Sequence, residues 1–260
     1  MNNEDLVSII TPSYNCSKFI GETINSIISQ TYINWELLIT DDCSTDNSCE
    51  IIEAYANKDP RIKLIRLTIN SGAGVARNTS IEAAQGHYIA FCDSDDLWLP
   101  HKLEKQIKFI KENNLFVTYA SALTCDETGK INGINLSFPS VSFKNECKCD
   151  WISMSSLIYD ASKLGKVFLP IIRKRQDWGL KIKLLQNVGS TIGLYEPLSI
   201  YRIRKNSISR KKSDLIKYNI AIYRNILNLN TFNSYCKFFF HFIPFFLFKR
   251  IRKKLITIKL

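Results

Sequence analysis

The residues best suited to chemistry are three carboxylates within four positions, Asp93, Asp95 and Asp96, which directly follow the apolar run 88–92. Like charges this close repel one another and need a cationic partner. Carboxylate oxygens favour Mg²⁺ or Mn²⁺, and such ions usually share their remaining coordination positions with substrate phosphates. The stretch therefore predicts a divalent-metal site at a strand end, where Asp93 and Asp95 would point to one side and Asp96 to the other. A solvated acidic loop or a cap for the helix near Pro100 is the alternative.

The elements that must position this cluster alternate between strands and helices. Apolar, β-branched runs predict strands at five places, and apolar residues at helical spacing predict the helices that separate them. Short connections between them favour an α/β fold with a mostly parallel, doubly wound central sheet, which binds ligands at the carboxyl ends of its strands. The strands are expected at residues 6–11, 35–40, 63–67, 88–92 and 116–120. We therefore expect residues 11–15, 41–42 and 93–96 to gather along one sheet edge.

Positive charge is concentrated at the carboxyl end of the chain. Residues 201–260 hold fifteen of the 35 Lys and Arg residues but one of the 24 acidic residues. The aromatic run 238–248 is too short to span a bilayer, which takes ~20 apolar residues, and Pro244 interrupts it. Residues 237–254 therefore predict a segment lying on an anionic membrane surface, with a helix that packs on the rest of the chain as the alternative. Nucleic acid is not an expected partner, because the aromatic residues are clustered rather than interleaved with basic ones.

Four motifs now stand in order along the first 96 residues. They are Val7-Ser-Ile-Ile-Thr-Pro-Ser-Tyr-Asn15, Leu38-Ile-Thr-Asp-Asp-Cys-Ser-Thr-Asp46, Asn70-Ser-Gly-Ala-Gly-Val-Ala-Arg-Asn78 and Ile89-Ala-Phe-Cys-Asp-Ser-Asp-Asp96. This series resembles the family 2 glycosyltransferases, inverting enzymes of the GT-A fold. The resemblance is dense over residues 5–110 and thinner to about residue 210. Bacterial relatives of this size often build O-antigen or capsule repeat units on undecaprenyl diphosphate.

The resemblance implies a uridine site in the loops after the first two strands. Thr11, Pro12 and Tyr14 match the loop that borders the uridine. Asp42 matches the acid that hydrogen-bonds the uracil ring, and Asp41 lies beside it. A carboxylate suits this task because it accepts the ring N–H. The alternative for the two acids is capping of the helix that follows.

The resemblance also implies the residues that hold the diphosphate and the Mn²⁺ or Mg²⁺ cofactor. Asp93 and Asp95 match the family's DxD motif, with Asp95 in direct contact with the metal and Asp93 nearer the sugar. Arg77 follows a glycine pair at a helix start, where it would contact the donor or form a salt bridge with a nearby aspartate. Arg204 stands where relatives often carry a metal-site histidine. Arginine cannot ligate a metal, but it can bind a diphosphate bidentately.

An inverting transferase also needs a base to deprotonate the attacking hydroxyl. Relatives usually carry it in a Glu-Asp pair at a helix start. Here Gln176 replaces the glutamate, so Asp177 is the expected catalytic base, with a plain helix-terminal carboxylate as the alternative. Trp178 would either stack on an acceptor sugar or belong to the core.

Together these features predict three regions and one reaction. Residues 1–122 would bind the nucleotide sugar, and residues 123–210 would bind the acceptor. Residues 211–260 would associate with the cytoplasmic face of a bacterial inner membrane. The expected reaction is metal-dependent transfer of a hexose from a UDP-sugar to a saccharide on a lipid diphosphate, forming a β linkage. UDP-glucose is favoured as the donor over UDP-galactose and UDP-N-acetylhexosamines. The alternative of another class is an inactive scaffold with the same fold, which the departures at Gln176 and Arg204 keep open.

Overall fold

The computed structural model describes residues 5–204 and 215–257, with side chains in the second stretch from 216 to 252. The strands are β1 (Val7–Ser13), β2 (Trp35–Asp41), β3 (Ile62–Arg66), β4 (Tyr88–Phe91), β5 (Leu97–Trp98), β6 (Val117–Cys125), β7 (Ile131–Asn135), β8 (Ser140–Ser142), β9 (Ile158–Asp160) and β10 (Ser190–Arg202). The helices are α1 (Ile20–Ile28), α2 (Ser48–Ala56), α3 (Ala73–Ala83), α4 (Lys102–Glu112), α5 (Phe143–Glu146), α6 (Ala161–Leu164), α7 (Gln176–Val188), α8 (Leu215–Asn225), α9 (Thr231–Lys237) and α10 (Ile243–Thr257). A π-helical turn, Phe238–Phe242, joins α9 to α10.

The amino-terminal half is a parallel sheet covered by helices on both faces. Strands β3, β2, β1 and β4 lie side by side in that order, and all their pairings are parallel. Along β1, Val7 and Ile9 pack with α1, α2 and α4, whereas Ile10 packs with α3 and α7 on the opposite face. This alternation follows from the period of two along a strand. The predicted α/β class with a parallel, doubly wound central sheet is confirmed.

The second half of the sheet contains both parallel and antiparallel pairs, and its last strand returns toward the first half. β9 lies antiparallel between β4 and β6, and β10 pairs in parallel with β6 and antiparallel with β5 and β8. The pairing of β10 with β6 shifts register around Pro197, which has no N–H to donate. β10 then ends at Arg202, beside β5 and close to the acidic stretch.

The carboxyl-terminal helices pack against α7. Trp178 is fully buried there, and its ring lies 5.6 Å from the ring of Tyr223 and 5.5 Å from that of Phe242. At Gly179 the approach is so close that a Cβ would lie 2.5 Å from Pro170 Cγ and 2.7 Å from Ile226 Cδ1. The described part of the predicted membrane region is therefore also a structural partner of the acceptor half.

The same region also exposes apolar side chains on its outer face. The exposed large residues from α9 to the end of the described side chains are Phe232, Tyr235, Phe239, Phe240, Leu247, Phe248 and Ile251. None of the helices in the described stretches is long and apolar enough to cross a bilayer.

Candidate functional site

Polar side chains join the loops that follow β1 and β2. Ser13 Oγ donates to Asp41 Oδ2 at 2.8 Å, and the backbone N–H of Ser44 donates to Asp41 Oδ1 at 2.8 Å. Asn15, whose φ is 46°, accepts from the backbone N–H of Thr45 at 2.8 Å. Asparagine tolerates this left-handed conformation better than most residues. The buried carboxylate of Asp41 thus joins the two loops by hydrogen bonds, and it lies at the predicted edge of the sheet.

The three residues predicted to border the uridine differ in accessibility. Tyr14 is 47% exposed, whereas Thr11 and Pro12 are buried within β1. The Thr11 hydroxyl has no hydrogen-bond partner within the described residues. Tyr14 is therefore the side chain of this loop that a ligand can reach directly.

Asp42 fixes the loop that starts α3. Its two oxygens accept from the backbone N–H groups of Ser71 at 2.6 Å and Gly72 at 2.7 Å. Gly72 has a φ of 94°, which is accessible to glycine at little cost, and it is the residue before α3. By holding this loop, Asp42 sets the position of Arg77, which lies one turn into the helix.

The acidic stretch forms a turn rather than an extension of β4. The backbone N–H of Asp96 donates to Asp93 O at 3.0 Å, so the alternation expected of a strand does not continue. Arg77 Nη2 contacts Asp93 Oδ1 at 2.5 Å, and Arg204 Nε contacts Asp95 Oδ2 at 2.6 Å. Burial raises the pKa of Asp95, while the Arg204 charge opposes this shift and the Asp93 charge adds to it. Both predicted metal ligands are thus held by arginines.

Asp96 points into the protein and holds the turn in place. It is 1% exposed, and it accepts from Ser155 Oγ at 2.5 Å and from the backbone N–H of Arg202 at 3.0 Å. Burial raises its pKa well above the usual carboxyl range. Arg202 also donates through Nε to Asp95 O at 3.0 Å. Arg202 was not among the predicted site residues.

Asp177 is the second residue of α7, and its side chain is 33% exposed. Its Oδ2 lies 3.6 Å from Lys181 Nζ, one turn further along the helix. Burial would raise the pKa of Asp177, but the charges of Lys181, Arg77 and Arg175 outweigh it and hold the pKa below the usual range. The carboxylate is therefore ionised at neutral pH and able to accept a proton.

Lys181 is a second residue that sequence reasoning missed. It is buried, and Nζ contacts Asp150 Oδ1 at 2.5 Å and Ile152 O at 2.7 Å, so it joins α7 to the chain before β9. Its helical spacing from Asp177 was the available signal. Trp178 belongs to the core, where Nε1 donates to Glu146 O at 2.8 Å.

A cavity of about 390 Å³ connects the two predicted halves of the site. This volume falls within the roughly 300–1,000 Å³ range of small-molecule sites. Asp93 and Asp177 both line it, and its remaining wall includes two aromatic side chains and two cations from α10. These four residues are Phe138, Trp151, Lys249 and Arg252.

The donor set at the acidic turn fits a divalent cation that is completed by substrate. Asp93 and Asp95 offer two partly exposed carboxylates, 30% and 17% exposed. Across the described residues, no three His, Cys, Asp or Glu side chains are grouped to hold a metal by themselves. Two carboxylates with diphosphate oxygens and water are an arrangement that Mg²⁺ commonly uses.

The sequence matches the family described as "Glycosyl transferase family 2" over residues 8–242. It is a family 2 glycosyltransferase. The glycosyltransferase is 37% identical over 230 residues to the putative teichuronic acid biosynthesis glycosyltransferase TuaG of Bacillus subtilis, covering 88% of this chain and 91% of that one. It is 36% identical over 213 residues to WfgD of Escherichia coli, covering 82% and 83% of the two chains. WfgD is named a UDP-Glc:alpha-D-GlcNAc-diphosphoundecaprenol beta-1,3-glucosyltransferase. The prediction of a sugar-transferring enzyme is confirmed.

Solved structures confirm the GT-A fold of this glycosyltransferase. S. aureus TarS 1-349 in complex with UDP-GlcNAc superposes with a TM-score of 0.69 at 23% identity, covering 88% of this chain and 69% of TarS. The mannosyltransferase PcManGT from Pyrobaculum calidifontis, in complex with GDP-Man and Mn²⁺, gives 0.60 at 17% identity, covering 86% and 64% of the two chains.

Proposed function

We propose that this enzyme transfers glucose from UDP-glucose to a hydroxyl of a lipid-diphosphate-linked N-acetylhexosamine, with inversion to a β linkage, in the synthesis of a surface polysaccharide. The observation that carries the proposal is the shared cavity of Asp93 and Asp177, with Arg77 placed between donor side and acceptor side. WfgD and WfaP of Escherichia coli, 36% and 35% identical to this chain, are both named for this donor and acceptor.

We assign a role to each group of site residues. Tyr14 borders the nucleoside, Asp41 and Asp42 hold the loops around it, and buried Thr11 and Pro12 shape β1 beneath. Mn²⁺ or Mg²⁺, when bound by Asp95 and Asp93, would offset the charge on the departing diphosphate. Arg77 and Arg204, which contact Asp93 and Asp95, would bind diphosphate oxygens of the donor.

Asp177 completes the reaction on the acceptor side. The acceptor oxygen attacks the anomeric carbon from the face opposite the diphosphate, forming the new glycosidic bond as the bond to the diphosphate breaks. The hydroxyl proton passes to the Asp177 carboxylate, and UDP leaves. Attack from the opposite face converts an α-linked donor into a β-linked product. Lys181, Arg77 and Arg175 keep Asp177 ionised, which is the form that can accept the hydroxyl proton.

A donor screen tests the proposed function. Release of UDP is measured with Mn²⁺, a synthetic lipid-diphosphate N-acetylglucosamine acceptor, and UDP-glucose, UDP-galactose or UDP-N-acetylhexosamines. GDP-mannose, for which release of GDP is measured, serves as the control for base selection. We expect the fastest release with UDP-glucose and a β-linked product. Faster release with another UDP-sugar would reassign the donor. Background release with every donor would favour a binding or scaffold protein of the same fold.

We also propose that residues 237–254 dock the enzyme on an anionic membrane, at the cytoplasmic face of the bacterial inner membrane where a lipid-linked acceptor is available. One face of this segment packs on the enzyme through Phe238 and Phe242, and the other exposes apolar side chains among basic ones. Phe240 and Phe248 are 76% and 55% exposed. Apolar insertion and attraction to anionic lipids together stabilise such segments at the headgroup level.

Flotation with phosphatidylglycerol vesicles tests this docking. A fully buried Phe contributes about 1.5–3 kcal/mol, so the double variant Phe240→Ser/Phe248→Ser should lower vesicle binding roughly tenfold or more. Ile33→Ser is the matched control, because Ile33 is 76% exposed on the loop between α1 and β2. We prefer point variants to truncation, since removing α10 and the π-helical turn would uncover Trp178. Equal flotation of the double variant and the wild type would exclude the proposed surface.

A further inference from the structure

Two cations of α10 form part of the wall of the cavity that contains Asp177. Lys249 and Arg252 both line this cavity and are three residues apart, so they lie on one face of the helix. The exposed residues Phe248 and Ile251 lie on the neighbouring face of the helix, which is turned away from the cavity. One helix thus presents charge to the cavity and apolar surface to the exterior.

Both cations are held by neutral groups. The Arg252 guanidinium lies 3.8 Å from the Phe138 ring centroid and donates to Leu136 O at 3.3 Å and Ser137 O at 3.4 Å. Lys249 Nζ donates to the backbone carbonyl of Asp150. These contacts fix the direction of both side chains but do not cancel their charge.

Within the described residues, no carboxylate forms a salt bridge with Lys249 or Arg252. The carboxylate of Asp150 is instead paired with other cations. Lys181 Nζ lies 2.5 Å from Asp150 Oδ1, and Arg175 Nη1 lies 3.9 Å from Asp150 Oδ2. Lys249 Nζ contacts the carbonyl oxygen of Asp150. Neither cation is in direct contact with a carboxylate, so both can donate to an anionic ligand that enters the cavity.

We propose that Lys249 and Arg252 bind the diphosphate group of the lipid-linked acceptor. This inference rests on the proposed function, since it assigns a subsite to that acceptor. Phe138 and Trp151, whose ring centroids are 4.6 Å apart, border the space between the cations and would contact the first sugar. Lysine and arginine bind phosphate oxygens through charge-assisted hydrogen bonds. With residues 237–254 docked as proposed, α10 would present both cations close to the membrane that carries the acceptor.

Direct binding of farnesyl diphosphate tests the subsite without requiring turnover. Titration calorimetry is carried out with Mn²⁺ and saturating UDP, so that the nucleotide site is filled. We expect the wild type to bind, and Lys249→Gln and Arg252→Gln to weaken binding about tenfold or more, the effect of losing a charge-assisted hydrogen bond. Farnesol, which lacks the diphosphate, should not distinguish the variants from the wild type.

Matched variants separate charge from folding. Lys217→Gln removes an exposed lysine of α8 and should bind farnesyl diphosphate as the wild type does. Arg252→Lys and Lys249→Arg keep the charge and should retain most of the affinity, while thermal melting reports whether α10 stays packed. Unchanged affinity in Lys249→Gln and Arg252→Gln, or no binding by the wild type, would overturn the proposal.

Kinetics distinguish the acceptor diphosphate from that of the donor. With a lipid-diphosphate N-acetylglucosamine acceptor, both glutamine variants should raise the acceptor KM about tenfold, with kcat and the UDP-sugar KM nearly unchanged. A rise in the UDP-sugar KM instead would assign the cations to the donor. If the wild type transfers to no lipid-linked saccharide, the proposed function fails, and the farnesyl diphosphate titration still decides whether this pair binds a diphosphate.

Discussion

Replacing Asp177 with asparagine should reduce kcat by roughly 10²–10⁴-fold, the usual contribution of a positioned general base. Asparagine has nearly the same shape but cannot take the acceptor's proton. Affinity for UDP should stay close to that of the wild type, because Asp177 lies on the acceptor side of the cavity. Single-turnover rates and UDP titrations, both with Mn²⁺, measure the two effects.

The control for Asp177→Asn addresses the simpler interpretation of this residue. A carboxylate in the first turn of a helix contributes about 0.3–1 kcal/mol through the helix dipole. Glu104 occupies such a position on α4, away from the cavity, so Glu104→Gln should leave turnover unchanged. Normal transfer by Asp177→Asn, with only a small loss of stability, would reduce Asp177 to the same structural role.

Replacing Asp95 with alanine should abolish transfer and remove the dependence of UDP binding on Mn²⁺. Metal stabilisation of a departing diphosphate amounts to several kcal/mol, so we expect a loss of at least about a hundredfold in kcat/KM. The remaining carboxylate, Asp93, is already engaged by Arg77 at 2.5 Å. Calorimetric titration of UDP with and without Mn²⁺ gives a readout that is independent of turnover.

A second aspartate–arginine pair provides the control for Asp95→Ala. Asp59 contacts Arg61 Nη2 at 2.7 Å on the surface near β3, so Asp59→Ala breaks a similar ion pair outside the site. That variant should keep both turnover and metal-dependent UDP binding. Wild-type turnover of Asp95→Ala with Mn²⁺ would refute the metal assignment.

Much of the nucleotide half could be predicted because its signals are local. Helical spacing and β-branched runs placed β1 to β4 within a few residues. The carboxyl ends of parallel neighbours necessarily share an edge, as the pairing of Ser13 with Asp41 shows. The position of Asp177 at a helix start was also predicted, from the resemblance of Gln176-Asp177 to the Glu-Asp pair of the family.

The acceptor half could not be predicted to the same depth because its pairings join distant parts of the chain. The hairpin of β6 and β7 falls where periodicity is weak, and β10 shifts register against β6. Arg202 meets the acidic turn only through this pairing, so no local pattern reveals its role. Likewise, the aromatic run 238–248 predicted an apolar surface. It could not predict which of these side chains would pack on Trp178.

The close packing at Gly179 has a consequence for how such enzymes diversify. Because α7, which carries Asp177, has no room at Gly179 for a side chain against Ile226, substitutions at these two positions constrain one another. In a chimaera in which residues 215–257 alone come from a relative, the side chain that contacts Gly179 and the α10 residues that line the cavity would both change. Under the proposed membrane docking, the docking surface and one wall of the cavity belong to the same packed segment of this chain.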